Sequence, residues 1–133
     1  MAHYAFLDED NIVTEVIPGR EEDETVDGIS DWETYYGELR GQVCKRTSYN
    51  TYANVHKYEP KQPFRYNYAG VGDSFDSTIG PDGAFIPKKP FNSWILDIET
   101  CTWKPPIPMP DDDKLYAWAE ENLQWQEIVI ITK

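Results

Sequence analysis

The sequence is poor in the residues that build metal sites and covalent cross-links. It has only two cysteines, Cys44 and Cys101, and two histidines, His3 and His56, and none of them stands in a C-x-x-C or H-x-x-x-H spacing. A four-ligand zinc site would need all four of these residues, and a disulfide would need both cysteines. We therefore expect no cofactor and no metal, and we expect the two thiols to act as small core residues.

Long apolar runs are also missing. No stretch of about 18 consecutive apolar residues occurs, which is the length that a membrane-spanning helix needs. The opening residues Met1–Tyr4 carry neither a basic flank nor the apolar core of a signal peptide. We expect a soluble protein without a cleaved secretion signal and without a membrane partner.

Basic residues are scarce, with 12 Lys and Arg against 24 Asp and Glu, so the net charge is −12. This charge repels nucleic acid phosphates, and we expect no direct contact with nucleic acid. The charge is uneven: residues 1–38 hold twelve acids against one base, whereas residues 39–108 hold nine bases against six acids. The basic middle suits docking on a partner, although acidic loops that only keep the fold soluble would give the same pattern.

Catalytic signatures are absent from the sequence. It contains no G-x-S-x-G elbow, and Gly70-Val71-Gly72 lacks the rest of a phosphate-binding loop. Asp111-Asp112-Asp113 lacks the alternate ligand spacing of a calcium loop. Two carboxylates could converge to hydrolyse glycosides, but nothing singles out a pair. We predict that the protein is not an enzyme.

Aromatic residues, in contrast, are abundant at 14% of 133 residues, and apolar residues reach 40%. A chain of this length can bury about two thirds of its unfolded surface in one core. We therefore predict a single acidic, β-rich domain over residues 1–133.

Apolar segments joined by polar or Gly-rich turns recur four times and predict β-hairpins. They cover residues 4–17, 74–87, 94–103 and 115–130. The elements are short, which predicts a mainly β fold, a small antiparallel β-meander or sandwich built from hairpins. For the last segment a helix over residues 113–126 is an alternative, because Leu115 and Trp118 have helical spacing. The β-branched Ile128–Ile131 predicts a strand in either case.

One short α-helix is predicted from Ser30 to Leu39. Ser30 and Glu33 form a capping box, and Gly41 stands where a C-terminal cap belongs. The preceding loop, Arg20–Asp27, is acidic and predicted to be a mobile, solvated excursion. One face of the helix would carry its large apolar side chains, which are Trp32, Tyr35, Tyr36 and Leu39.

The segment Cys44–Ala69 interleaves tyrosines with basic and small polar residues. Tyr and Arg bury large areas while keeping polar tips, and protein interfaces are enriched in both. The alternative is that these tyrosines are half-buried strand residues of the domain itself. We predict a contact surface for a partner protein at six residues, namely Arg46, Tyr49, Tyr52, Arg65, Tyr66 and Tyr68.

A set of motifs spread over nearly the whole chain carries a family resemblance. The motifs are residues 1–8, Asp31-Trp32-Glu33, Tyr36-Gly37, Cys44–Thr51, Asn67–Gly72 and Ala84–Trp94, together with the Trp-containing hairpins that follow. As a set they resemble a family of small structural proteins of marine tailed bacteriophages, cyanophages among them. Residues 53–64 depart from that family in being shorter and richer in lysine. The resemblance implies a virion protein, made in the host cytoplasm, and implies no catalytic residues.

Within a virion, a small acidic β domain has two common uses. We predict a capsid decoration or cement protein that binds the major capsid protein, and the alternative is an adaptor or attachment protein of the tail, baseplate or fibres. Assembly with further copies of itself is compatible with either. A third reading is a module that binds host glycans, in which Trp103, Trp118 and Trp125 would stack on sugar rings.

Overall fold

The structure is a computed structural model and describes residues 2–131. Within that range the elements are β1 (Ala2–Leu7), β2 (Val13–Gly19), α1 (Trp32–Arg40), β3 (Val43–Thr47), β4 (Thr51–Tyr52), β5 (Val55–His56), β6 (Ser74–Asp76), β7 (Ala84–Ile86), β8 (Ile95–Asp97), β9 (Thr102–Lys104), β10 (Tyr116–Ala119) and β11 (Gln124–Glu127). The prediction of a mainly β chain built from antiparallel hairpins with a short α-helix is confirmed.

The described chain forms two compact units. The first contains the residues up to Lys88 together with Ile98–Thr102, and the second contains Lys89–Asp97 together with the residues from Trp103 onward. The single domain over residues 1–133 stays a prediction.

The first unit is organised around a three-stranded sheet in the order β2-β1-β3. Successive side chains of a strand point to opposite faces, and those of β1 alternate between two core clusters. Ala5 and Leu7 pack with Phe75 and Phe85, whereas Tyr4 and Phe6 pack on the other face with residues of α1. Strand β1 is buried because both of its faces are covered.

Both edges of this sheet are protected against further strand pairing. Strand β2 contains Pro18, which has no N–H to offer, and its register with β1 shifts between Phe6 and Leu7. Strand β3 lies beside α1, and the Arg46 N–H donates to a Glu33 carboxylate oxygen at 2.6 Å. Helix α1 therefore occupies part of the edge at which another chain could add a strand.

Helix α1 begins one residue later than the capping box indicates. Its N-cap is Asp31, whose carboxylate accepts hydrogen bonds from the Thr34 N–H and hydroxyl. These bonds hold the pKa of Asp31 below its usual value. Gly41 caps the other end at φ 72°, as predicted. The prediction for Leu39 is wrong: this residue lies one turn beyond the aromatic contacts and is 70% exposed.

Two of the predicted hairpins contain a strand that ends earlier than its sequence suggests. Strand β6 stops at Asp76 because its carboxylate accepts the Thr78 N–H and hydroxyl and so forms a turn. Strand β11 stops at Glu127, so the predicted strand at Ile128–Ile131 is wrong, as is the alternative helix over residues 113–126. The Ile128 N–H still donates to the Leu115 carbonyl at 2.7 Å, but the facing chain bends at residues 112–113 and no further ladder forms. No helix within residues 2–131 is long and apolar enough to cross a membrane.

The acidic loop that precedes α1 is tied to the first unit at two points. The Trp32 Nε1–H donates to the Glu24 carbonyl at 2.9 Å. Val26 and Ile29 exchange backbone hydrogen bonds and pack against the cluster that contains Trp32. The loop is thus partly solvated, as predicted, but its apolar residues are anchored.

Candidate functional site: the tyrosine hairpin surface

The β4–β5 hairpin presents aromatic side chains on a tight turn. Ala53 and Asn54 connect the strands, and both have positive φ values, 50° and 62°. Two successive residues of this kind in a two-residue loop match a type I′ turn, whose twist suits paired strands. Tyr52 lies opposite Val55 in the ladder, so their side chains are neighbours at the tip.

Asn67 holds this turn in place from beneath. Its side chain is 3% exposed. Its Oδ1 accepts the Ala53 N–H at 2.9 Å, while its Nδ2 donates to the carbonyls of Phe85 and Cys101, both at 3.0 Å. The hairpin is therefore joined to β7 and to the turn at Cys101 by a buried and well-bonded amide, which makes it a rigid platform.

The exposed side chains of this platform form what we call the tyrosine hairpin surface, which consists of Tyr52, Val55, Lys57, Tyr58 and Lys61. Tyr52 is 69% exposed, and Val55 and Tyr58 are also more than half exposed. The Lys57 Nζ lies 5.5 Å from the centroid of the Tyr58 ring, within the range of a cation–π contact. Lys61 is joined to Tyr58 by a backbone hydrogen bond of 3.0 Å.

A shallow groove of about 340 Å³ borders this surface. Val55 and Lys61 lie on it, and Pro60 and Pro63 form part of its wall. The His56 Nδ1 accepts the Tyr58 N–H at 2.9 Å and so fixes the chain between the strand and the prolines. The rest of its lining is polar or charged, at Asn54, His56, Glu59 and Gln62, so the groove offers a mixed contact area.

The four predicted tyrosines fall into two groups. Tyr49 and Tyr52 are exposed, and Tyr49 stacks on His3 with ring centroids 5.5 Å apart. Tyr66 and Tyr68 are half-buried. The Tyr68 ring contacts the rings of His3 and Tyr49, and burial raises the pKa of its hydroxyl. The half-buried alternative therefore describes Tyr66 and Tyr68, and a partner contact at Tyr49 and Tyr52 stays a prediction.

The two predicted arginines are engaged inside the first unit. The Arg65 side chain is 10% exposed, and its Nη1 lies 2.6 Å from Glu33 and 2.9 Å from the Arg46 carbonyl. Arg46 lies 3.6 Å from Glu22. Both guanidinium groups also pack on the Phe64 ring, at 4.0 Å for Arg46 and 4.6 Å for Arg65. These arginines stabilise the first unit through internal contacts and lie outside the tyrosine hairpin surface.

Sequence reasoning missed Val55, Lys57, Tyr58 and Lys61. The signal was available in the run Tyr52-Ala53-Asn54-Val55, where two β-forming residues flank a two-residue loop that contains Asn. A hairpin this short, with a tyrosine and a valine opposite each other, indicates a tip whose side chains have few neighbours.

The tryptophans proposed to stack on sugars have their rings largely committed within the second unit. Trp118 is buried, and its ring meets those of Trp94 and Trp125 edge-on at 6.1 and 5.2 Å. The Trp125 Nε1–H donates to the Ile107 carbonyl at 2.8 Å. Lys89 lies 5.3 Å from the Trp103 ring centroid. These contacts favour core packing over a sugar platform.

Cys44 of the first unit is a buried thiol with the properties of a core residue and not of a nucleophile. Burial raises the pKa of Cys44 to about 12, with the Glu33 carboxylate adding to the effect, so the thiol is protonated at neutral pH. Cys101 is also buried, and its thiol donates to the Ile98 carbonyl at 3.8 Å. Within residues 2–131 no group of three or more His, Cys, Asp or Glu side chains is arranged to hold a metal ion.

Comparison of the chain with models of protein families, with curated proteins and with solved structures found no match.

Proposed function

We propose that this chain is a structural protein of a tailed-phage virion that decorates the capsid by binding the major capsid protein. A position on the tail, baseplate or fibres is the alternative within the same particle. The proposal assigns no catalytic role. It rests on the sequence resemblance for the particle and on the tyrosine hairpin surface for the binding.

The observation that carries the binding role is the exposure of Tyr52 and Tyr58 on a platform that Asn67 makes rigid. An exposed tyrosine on a rigid platform loses little conformational entropy when it binds, because it has few rotatable bonds. Tyrosines in the centre of an interface often contribute about 2 kcal/mol or more each when truncated. Two such residues beside a groove can serve as the anchors of an interface.

The first test is the copy number of the protein in purified particles, measured by quantitative mass spectrometry against the major capsid protein. Hundreds of copies support decoration of the shell. A handful or a few tens would place the protein on the tail, and complete absence would overturn the virion role.

The second test is a double variant, Tyr52→Ala with Tyr58→Ala, added to particles that lack the protein. We expect at least a tenfold loss of occupancy, because the two main apolar contacts are removed while the buried platform is untouched. Leu39→Ala is the matched control, since Leu39 is equally exposed in the same unit but lies on α1. Equal occupancy of the double variant and the control would reject this surface as the interface.

A further inference from the structure

The cations of the first unit divide into paired and unpaired ones. Every arginine of the chain lies within ion-pair distance of a carboxylate, in the pairs Arg20–Glu24, Arg40–Glu15, Arg46–Glu22 and Arg65–Glu33. None of the four lysines of the first unit, Lys45, Lys57, Lys61 and Lys88, has a carboxylate at that distance within residues 2–131. Of these, Lys57 and Lys61 are both exposed and lie close together in sequence. Glu59, which lies between them in sequence, pairs with neither lysine.

Two of the unpaired lysines, Lys57 and Lys61, lie on either side of the exposed Tyr58. Residues 57–61 hold two lysines against the single carboxylate of Glu59, which lines the same groove as Lys61. In a chain of net charge −12 this small positive excess is a local reversal of sign. Such a reversal attracts carboxylates of a partner and orients them, since complementary charge gives an interface its register and raises the association rate. The adjoining apolar area of Tyr52, Val55 and Tyr58 would contribute most of the affinity.

Two other polyanions fit this site less well. Nucleic acid has a high charge density and is repelled by the rest of the molecule, so two lysines are too few to hold it. A second copy of the chain would have to present its densest acidic segment, residues 21–24. That segment is already used internally, because Glu22 pairs with Arg46 and Glu24 pairs with Arg20 and accepts the Glu21 N–H.

We propose that the tyrosine hairpin surface receives an acidic segment of a different virion protein. Its carboxylates would pair with Lys57 and Lys61, and an apolar side chain between them would rest on Tyr52 and Tyr58. The inference rests on the proposed function for the identity of the particle, and it adds the chemistry of the partner.

The test is an NMR titration of the full-length chain, labelled with ¹⁵N, with a capped pentapeptide of four glutamates around a central leucine. We expect chemical shift changes at residues 52–61 that weaken at least tenfold in the double variant Lys57→Glu with Lys61→Glu. Lys104→Glu is the matched control and should alter affinity less than twofold, because Lys104 is an exposed lysine of β9 in the second unit. Raising the salt from about 50 mM to about 500 mM should also weaken binding, since exposed charges are screened.

Three results would overturn the inference. A pentapeptide of four lysines around leucine that binds as well would show that the charge of the partner does not matter. Shifts of the same amides on concentrating the chain alone would make a second copy the occupant. A single-stranded oligonucleotide that competes more strongly than the acidic peptide would make the ligand a nucleic acid. Because the titration uses no particles, peptide binding by a chain absent from virions would refute the virion role while leaving the site intact.

Discussion

The two units of the chain bury their apolar residues to very different extents. Both buried core clusters belong to the first unit, and of the buried apolar residues in the described range only Trp118 and Ala119 belong to the second. The second unit instead has nine of its large apolar side chains exposed, at Ile95, Ile107, Met109, Leu115, Leu123 and Ile128–Ile131. A segment of about 40 residues rarely builds a sufficient core by itself.

What holds the second unit is a small cluster of aromatic rings, formed by Phe91, Trp94, Trp118 and Trp125. Edge-to-face pairs of this kind each add about 0.5 to 1.5 kcal/mol beyond the burial of area. The Trp94 Nε1 is buried there and makes no hydrogen bond, which subtracts from that gain. The first unit is thus stabilised by two buried core clusters, one on each face of β1, and the second by a few aromatic rings.

The largest expected difference in stability between the two units is tested with Phe85→Ala in the first unit. Phe85 is fully buried and packs on Phe75 with ring centroids 5.0 Å apart. We expect a loss of about 4 kcal/mol in the free energy of unfolding, because removing a buried ring leaves a cavity. Leu115→Ala, an exposed apolar residue of the second unit, should cost less than about 0.5 kcal/mol. Urea denaturation followed by circular dichroism measures both, and similar losses would contradict the assignment of the core.

A smaller effect is expected from Trp118→Ala, which removes the central ring of the aromatic cluster. We expect the amides of β11 to lose their protection against hydrogen exchange, because the rings that hold the β10–β11 hairpin lose their shared partner. The local cost should be about 3 kcal/mol. The amides of β3 serve as the internal control and should keep their protection. Equal loss in β3 would mean that the two units unfold as one.

Much of the fold follows from local signals in the sequence. The turn Gly80-Pro81-Asp82-Gly83 predicts the β6–β7 hairpin, and Gly41 predicts the end of α1, because each of these residues has a backbone preference that its neighbours cannot override. Ile128–Ile131 shows the limit of such reasoning. Strand propensity needs a partner strand, and the chain opposite these residues is a bend.

The candidate site was harder to predict from the sequence than the fold, because the direction of a side chain depends on residues far away in sequence. Arg65 and Lys57 both lie in the Tyr-rich segment, yet only Arg65 turns inward. Its partner Glu33 lies 32 residues away on α1, and the local sequence does not indicate that ion pair. The amide of Asn67 likewise bonds carbonyls 18 and 34 residues away. Composition could locate the segment but not separate its inward from its outward residues.

The smallest expected effect is that of acid. A fall in pH should remove stability at one carboxylate of the second unit and add stability at one carboxylate of the first unit. In the second unit, Glu120 accepts hydrogen bonds from the Ser93 hydroxyl at 2.6 Å and from the Trp118 Nε1–H at 2.9 Å. These bonds hold the pKa of Glu120 below its usual value of 4.5. The stability they contribute is therefore present above pH 4.5 and is lost as the pH falls through the lowered pKa.

In the first unit, burial raises the pKa of Asp73 above its usual value, despite the Gly70 N–H that it accepts. Its contribution is present below that value and is lost as the pH rises through the raised pKa. Acidification from neutral pH should thus loosen the second unit while favouring the surroundings of Asp73. The indole N–H signal of Trp118 should shift as Glu120 is protonated, and Glu120→Gln should abolish that shift, with Glu121→Gln as the control. If the Trp118 signal titrates unchanged in Glu120→Gln, another group controls the acid response of the second unit.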